Sequence, residues 1–223
     1  MRVLRSLRRS CASILLATCA RSAYASPPSS DEPPSKPREP SVSHISEVVY
    51  LTPEVGIAYV GLETLHLTRE LFPSRVSTAD VGSMVGAGAG LRFLFLTLGP
   101  RFRFGHFRDW DLWTLGAEVG FKAPLGAVEP FVALGAGYAR LGSLKDAGVL
   151  VQGYDIRLNA GLDYYLTKAF SIGGMASGEV LGMTRPGVDL NRATGSVSED
   201  IYKLDGSSVG IAIMASAVVG LHL

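Results

Sequence analysis

Apolar and polar side chains alternate with a period of two over most of the chain beyond Glu47. Residues 155–166 show this most clearly. One of their faces carries Ile156, Leu158, Ala160, Leu162, Tyr164 and Leu166, and the other carries Asp155, Arg157, Asn159, Gly161, Asp163 and Tyr165. Residues 113–122 and 209–223 repeat the alternation. Because successive side chains of a strand point to opposite faces, the pattern predicts strands with two unlike faces.

Eight segments fit this template, and each is about as long as a tilted strand needs to be to cross a bilayer. They are residues 54–65, 84–95, 96–107, 112–123, 130–142, 153–166, 169–182 and 207–223. The odd-numbered connections, at 68–83, 108–111, 143–152 and 185–207, are expected to be long and polar. The others, near Phe95, at 124–126 and at 167–168, are short. This arrangement is typical of transmembrane barrels. We therefore predict an all-β fold, an eight-stranded antiparallel up-and-down transmembrane β-barrel, over residues 47–223.

The boundary between the second and third strands has two candidate positions. The outward phase changes between Phe95 and Leu96, which requires a turn or a bulge at that point. Gly99-Pro100 is the alternative turn site, since this dipeptide is typical of turns.

The chain before the barrel divides into two parts. Residues 1–25 contain arginines at 2, 5, 8 and 9, an apolar run at 14–17, and then Ala23-Tyr24-Ala25, the order of a secretory signal peptide. Small side chains at Ala23 and Ala25 predict cleavage after Ala25. Residues 26–46, with six of the twelve prolines between 26 and 43, are expected to be a solvated periplasmic tether. A lipid anchor at Cys19 and a proline-rich recognition ligand are the alternatives.

Charge and composition argue against several classes of function. The signal removes five of the 21 basic residues, so 16 remain against 20 acidic ones, a net charge of −4. That balance argues against a nucleic-acid partner. Both cysteines lie in the signal and the four histidines are dispersed, so we expect no metal site. Gly86, Gly88 and Gly90 lack the strand and helix context of a dinucleotide site, and we expect no cofactor.

The composition of the two faces indicates which one meets lipid. A soluble lipocalin-like barrel would turn its apolar stripe inward and its polar stripe to water. Here the polar stripe is rich in glycine and serine, which suit a narrow lumen. Aromatic residues near strand ends suggest interfacial girdles, namely Tyr50, Trp110, Trp113, Tyr138, Tyr154, Tyr164, Tyr165 and Phe170. We therefore expect the apolar face to be outside, in contact with lipid.

Three tracts resemble the small outer-membrane β-barrel families of the OmpA and OmpX type. They are Asp111-Leu-Trp-Thr-Leu-Gly-Ala-Glu-Val-Gly-Phe, Glu129-Pro-Phe-Val-Ala-Leu-Gly-Ala-Gly-Tyr138 and the alternating run to the carboxyl terminus. The resemblance covers residues 45–223. It implies the outer membrane of a Gram-negative bacterium, contact with outer-membrane lipid, and insertion by the outer-membrane assembly machinery. That machinery reads the last strand, which in the family ends in Phe or Trp and here ends in His222-Leu223.

The polar stripe carries charges of both signs, which we assign to the lumen. They are Arg92, Arg101, Arg103, Glu118, Lys122, Asp155, Arg157, Asp163 and Glu179. The interior of an eight-stranded barrel is barely wide enough for its own side chains, so these charges should pair with one another. We interpret them as a polar plug that holds the barrel shut. A gated or selective pore is the alternative.

The expected function is structural, or surface interaction through the long external loops with an unknown external ligand. No nucleophile with a nearby base is recognisable, so we expect no enzymatic activity. Three alternatives stay open: a narrow porin-like channel for small solutes, a lipid-modifying barrel enzyme and a soluble lipocalin-like barrel.

Overall fold

The computed structural model describes residues 48–72, 76–142, 150–187 and 204–223, and these residues form eight strands. The strands are β1 (Val49–Arg69), β2 (Ala79–Phe93), β3 (Leu96–His106), β4 (Asp111–Lys122), β5 (Val128–Gly142), β6 (Val151–Tyr165), β7 (Phe170–Arg185) and β8 (Gly206–His222). Each pairs antiparallel with the next, and β8 pairs with β1 to close the barrel. The predicted eight-stranded up-and-down barrel is confirmed. No helix in the described part of the chain is long and apolar enough to cross a membrane.

The two faces of each strand have opposite surroundings. In β6 the outward side chains of Ile156 and Leu158 are 49% and 58% exposed, whereas Arg157 and Asn159 beside them are 1% and 0% exposed. The same alternation of buried and exposed residues runs through β3 and β8. The apolar face is therefore outside and the polar face lines the lumen, which is the reverse of a soluble lipocalin-like barrel.

Three of the aromatic residues expected at the membrane interfaces lie inside the barrel instead. Tyr50, Trp110 and Tyr165 are 5%, 1% and 5% exposed. Tyr50 and Tyr165 are in phase with the inward side chains of β1 and β6, and the two-residue period decides their direction. Nearness to a strand end was thus a poor guide to the face on which these side chains lie.

The short turns and both ends of the barrel chain lie at one rim, here called the turn end. The backbone amide of Val48 donates to the carbonyl oxygen of Leu223 at 3.0 Å. The β2–β3 turn is Leu94 and Phe95, where the change of phase was expected, and Gly99 and Pro100 lie within β3.

The other rim, here called the loop end, carries the connections 70–78, 107–110, 143–150 and 186–205. The β3–β4 connection was expected to be long and polar, but it has four residues, and its Phe107 and Trp110 are buried. Residues 73–75, 143–149 and 188–203 lie outside the described residues. So do the expected signal peptide, its cleavage site at Ala23 and Ala25, and the tether at 26–46.

Candidate functional site

All nine charged residues assigned to the lumen are buried inside the barrel, at 0–7% exposure. They are Arg92 on β2, Arg101 and Arg103 on β3, Glu118 and Lys122 on β4, Asp155, Arg157 and Asp163 on β6, and Glu179 on β7. Each forms an ion pair with an oppositely charged side chain. We call the group around Arg101, Arg103, Arg157, Glu54, Glu118, Asp155 and Glu179 the ionic cluster.

Arg101 and Arg103 hold the centre of the ionic cluster. The Nε and Nη2 atoms of Arg101 each donate to a carboxylate oxygen of Glu118 at 2.8 Å, a two-point contact that fixes the guanidinium plane. Glu54 bridges the two arginines, with its Oε2 3.2 Å from Arg101 Nη1 and its Oε1 2.8 Å from Arg103 Nε. Glu54 was not among the predicted residues.

Arg103 and Arg157 extend the cluster to β6 and β7. Arg103 Nη1 donates to Glu179 Oε1, and its Nη2 donates to Asn159 Oδ1 at 3.1 Å. Asn159 Nδ2 in turn donates to Glu118 Oε2 at 3.0 Å. Arg157 Nε donates to Asp155 Oδ2 at 2.6 Å and lies 3.9 Å from Glu179 Oε1. The cluster thus links β1, β3, β4, β6 and β7 across the lumen.

Glycines of β2 leave the space that the arginines occupy. A Cβ atom on Gly88 would lie 2.9 Å from Arg101 Nη2, and one on Gly86 would lie 2.6 Å from Glu54 Oε1. A larger side chain at either position would collide with the ionic cluster. The alternating glycines of this strand are therefore explained by packing.

Two further ion pairs lie nearer the turn end. Arg92 makes a two-point contact with Glu129 at 3.0 and 2.7 Å, and Tyr165 Oη donates to the same carboxylate at 2.8 Å. Lys122 Nζ donates to Asp163 Oδ2 at 2.6 Å and lies 5.4 Å from the ring centroid of Phe131. Glu129 is the second acid that the sequence pattern missed. A small cavity beside the Lys122–Asp163 pair is lined by Tyr50, Thr97, Lys122, Asn159 and Asp163, among others.

An apolar cluster fills the lumen at the loop end, and we call it the apolar cap. Its buried members are Ala58, Val60, Leu62, Leu71, Phe72, Met84, Phe107, Trp110, Leu112, Ala139, Leu141, Val151, Leu181, Met183, Ala212 and Met214. The rings of Phe107 and Trp110 stack at 4.1 Å between centroids. Leu71 and Phe72 enter the cap from the β1–β2 connection. The alternating pattern of the sequence did not predict this cap.

Arg185 fastens the connections to the cap from the end of β7. It is fully buried, and it donates to the carbonyl oxygens of Leu71 at 2.9 Å, Leu204 at 2.9 Å and Glu70 at 3.2 Å. Glu63 Oε1 also accepts from the Leu71 amide at 2.8 Å. One guanidinium therefore joins the first and last connections of the loop end.

The described residues offer little that resembles a reactive centre. They contain no group of three or more His, Cys, Asp or Glu side chains that could hold a metal ion. Ser171 Oγ lies 2.9 Å from His222 Nε2, but both side chains are buried in the lumen. His106 Nδ1 lies 2.5 Å from Asp111 Oδ1 at the loop end, and the His106 side chain is exposed. The arrangement as a whole obstructs the lumen with paired charges and packed apolar side chains in series.

The fold is similar to that of solved barrel structures. Neisserial surface protein A matches with a TM-score of 0.56 and 14% identity, covering 78% of this chain and 97% of that one. The outer membrane protein OprG from Pseudomonas aeruginosa matches with a TM-score of 0.48 and 10% identity, covering 81% of this chain and 99% of that one. The N-terminal β-barrel domain of Pseudomonas aeruginosa OprF matches with a TM-score of 0.45 and 17% identity, covering 79% and 98%. No protein-family model matches the chain, and no curated protein matches it either. The likeness to the Neisserial protein supports the fold alone.

Proposed function

We propose that this chain is an outer-membrane protein of a Gram-negative bacterium, with a plugged barrel and a structural or surface-interaction role at its loop end. The observation that carries the proposal is the apolar exterior around a polar, filled lumen. Exposed side chains such as Val132, Leu134, Ile213 and Leu162 are 49–62% exposed on the outer face. Exposed apolar area of this kind is costly in water and suits lipid.

The two obstructions in the lumen support a plugged barrel over a channel. The ionic cluster fills the middle, where each buried charge needs a partner to offset its lost hydration. The apolar cap lies beyond it, and a dry apolar constriction excludes ions independently of any charge. A solute would have to displace both obstructions to pass through the lumen. The proposed function is therefore assigned to the loops and not to transport. The name of the similar Neisserial protein, a surface protein, agrees with this proposal.

The amino-terminal parts belong to the same proposal. Residues 1–25 act as a signal peptide cleaved after Ala25, and residues 26–46 form a periplasmic tether before the barrel. The barrel is inserted by the outer-membrane assembly machinery. An intact mass of the purified protein that begins at Ser26 would support this, whereas a diacylglyceryl adduct on Cys19 would establish a lipoprotein instead.

Protease treatment of intact cells tests the orientation and the surface role. Trypsin should cut at Lys145 and Lys203, which lie in the loop-end connections. Arg38 in the tether provides the matched control, and the bond after it should stay intact until the outer membrane is opened. Cleavage in the tether with protected loop ends would mean that the barrel is inserted the other way round.

Conductance in planar bilayers separates the plugged barrel from the narrow channel, the second candidate, which the cavity near Lys122 and Asp163 favours. Insertion is checked first by a heat-dependent shift on a detergent gel. Wild-type protein should then conduct little. The double variant Trp110→Ala, Glu118→Ala removes one side chain from each obstruction and should give conducting events. These events are the positive control, because they show that the measurement detects an inserted barrel. Steady, large, ion-selective conductance from the wild type would favour the channel.

A further inference from the structure

A polar and aromatic patch on the outer face near the loop end interrupts the apolar exterior. It consists of Trp113 on β4, Tyr138 and Arg140 on β5, and Gln152 and Tyr154 on β6, and we call it the Arg140 patch. Arg140 pairs directly with Trp113 on one side and with Gln152 on the other. Tyr138 pairs directly with Tyr154. The five side chains are therefore neighbours on one surface.

The contacts within the Arg140 patch hold its aromatic rings in place. The rings of Trp113 and Tyr138 meet edge to face at 5.7 Å between centroids. The Arg140 guanidinium carbon lies 6.0 Å from the Trp113 ring centroid, and Tyr138 Oη donates to Gln152 Oε1 at 2.7 Å. Such aromatic contacts restrict the side chains and leave the guanidinium edge open to a further partner.

The height of the patch on the barrel corresponds to a membrane interface. Tyr154 and Tyr164 both face outward from β6, with Ile156, Leu158 and Leu162 among the apolar residues between them. Ten residues of strand rise about 33 Å, which is about 25 Å along the barrel axis at the usual tilt, the height of the apolar band of membrane barrels. Tyr154 therefore marks the interface at the loop end, and Arg140 lies one step beyond it, at the level of lipid head groups.

Among the residues that the structure describes, Arg140 forms no ion pair. Its side chain is exposed, and among the described residues no acidic side chain lies within ion-pair distance of it. Its outward neighbours on β5, from Val132 to Tyr138, are uncharged. A guanidinium at the boundary of an apolar band gains most from an anion in the adjoining head-group layer.

We propose that the Arg140 patch binds the phosphate group of an anionic lipid in the leaflet around the loop end. Arg140 would donate to the phosphate oxygens, Gln152 would donate its amide to the head group, and Trp113 and Tyr154 would pack against the lipid beneath. The inference rests on the proposed membrane location and goes beyond it by naming a lipid class and a site.

The fluorescence of Trp113 provides a local test. The chain has two tryptophans, so Trp110→Phe leaves Trp113 as the reporter in barrels reconstituted into phosphatidylcholine vesicles containing phosphatidylglycerol. Quenching by brominated phosphatidylglycerol is compared with quenching by brominated phosphatidylcholine at equal mole fraction. The anionic lipid should associate about fivefold more strongly at the patch, the preference expected for one arginine near a charged lipid surface.

Two variants and a competitor define the outcome. Arg140→Gln should reduce the preference to about onefold, whereas Arg108→Gln, an equal loss of charge in the β3–β4 connection of the same rim, should leave it unchanged. Inorganic phosphate should not displace the lipid. Three results would each overturn the assignment: no lipid preference in the protein that retains Arg140, a preference that survives Arg140→Gln, or displacement of the lipid by inorganic phosphate.

Failure of this inference is distinguishable from failure of the proposed function. The heat-dependent gel shift reports whether the vesicle protein is an inserted barrel. Insertion without a lipid preference contradicts only the proposal that the Arg140 patch binds an anionic lipid. Absence of insertion contradicts the proposed membrane location itself. If Trp110→Phe prevents folding, native mass spectrometry of phosphatidylglycerol retained by the Arg140 and Arg140→Gln proteins decides the same question.

Discussion

At the scale of single residues, the two acids that the sequence pattern missed lie next to prolines. Glu54 follows Pro53 and Glu129 precedes Pro130, and both prolines lie within strands. Proline lacks an N–H for the strand ladder, so it argues against a strand at its position. The first strand was predicted to begin at Glu54 itself and the fifth at Pro130, one residue after Glu129, whereas they begin at Val49 and Val128. The alternation assigned the basic residues to the lumen, but it did not identify Glu54 and Glu129 as their acidic partners.

Glu118 is the residue at which the ionic cluster is most directly tested. Glu118→Ala removes the acceptor of both Arg101 hydrogen bonds and of the Asn159 amide. Arg101 then keeps only its 3.2 Å contact to Glu54. Breaking a buried ion pair by removing one partner costs about 3–5 kcal/mol, so the free energy of unfolding in urea should fall by about that much. Glu70→Ala removes an exposed acid and should change it by less than about 0.5 kcal/mol. Similar small losses for both variants would mean that the cluster is well hydrated.

At the scale of single elements, the β2–β3 turn is closed by an unusual residue. Leu94 has a φ of 57°, the one positive φ among non-glycine residues in the described part of the chain. In a two-residue hairpin turn a positive φ at the first position is normally supplied by glycine. The change of phase in the sequence located this turn, but nothing in a Phe-Leu-Phe run predicts its conformation.

Leu94→Gly should stabilise the barrel by about 0.5–1 kcal/mol. Left-handed backbone costs a side-chain-bearing residue about 1–2 kcal/mol, and the greater freedom of glycine in the unfolded chain offsets about half of that gain. Phe95→Gly is the matched control, since Phe95 has a negative φ and should lose stability. Equilibrium unfolding in urea compares the two. A loss of stability in Leu94→Gly would show that the leucine side chain contributes more than its backbone costs.

The Arg185 contacts predict how firmly the loop end is closed. Arg185→Met keeps the length of the side chain and removes its three donors to the connection carbonyls. Hydrogen bonds from a charged donor contribute about 1.5–3 kcal/mol, so chymotrypsin should cut after Leu71 about tenfold faster or more. Arg69→Met, which removes one exposed contact to Asp205 O, should leave the rate near that of the wild type. Cut sites are read by mass spectrometry, and equal rates for all three proteins would contradict the role of Arg185.

At the scale of the whole molecule, the alternating pattern was sufficient for the strand number, the closure and the direction of the faces. It was insufficient for the apolar cap, because near the loop end the inward positions of the strands also carry apolar side chains. Val60, Leu62, Leu181 and Met183 point inward where the pattern expects polar side chains. Long-range packing among β1, β7 and the connections decides that region, and a period along one strand contains no information about it.

The most direct test of the account is a spin-label scan of β6 in lipid vesicles. The chain has cysteines at 11 and 19 only, so the chain from Ser26 has none, and single cysteines can be placed at Ile156, Leu158, Ala160 and Leu162, with Met175→Cys as the inward control. The four outward labels should be accessible to oxygen dissolved in lipid and shielded from a water-soluble nickel chelate, with the greatest contrast at the middle positions. The label at 175 should lack this lipid signature. Outward labels that meet the nickel chelate as readily as oxygen would contradict a membrane-spanning barrel.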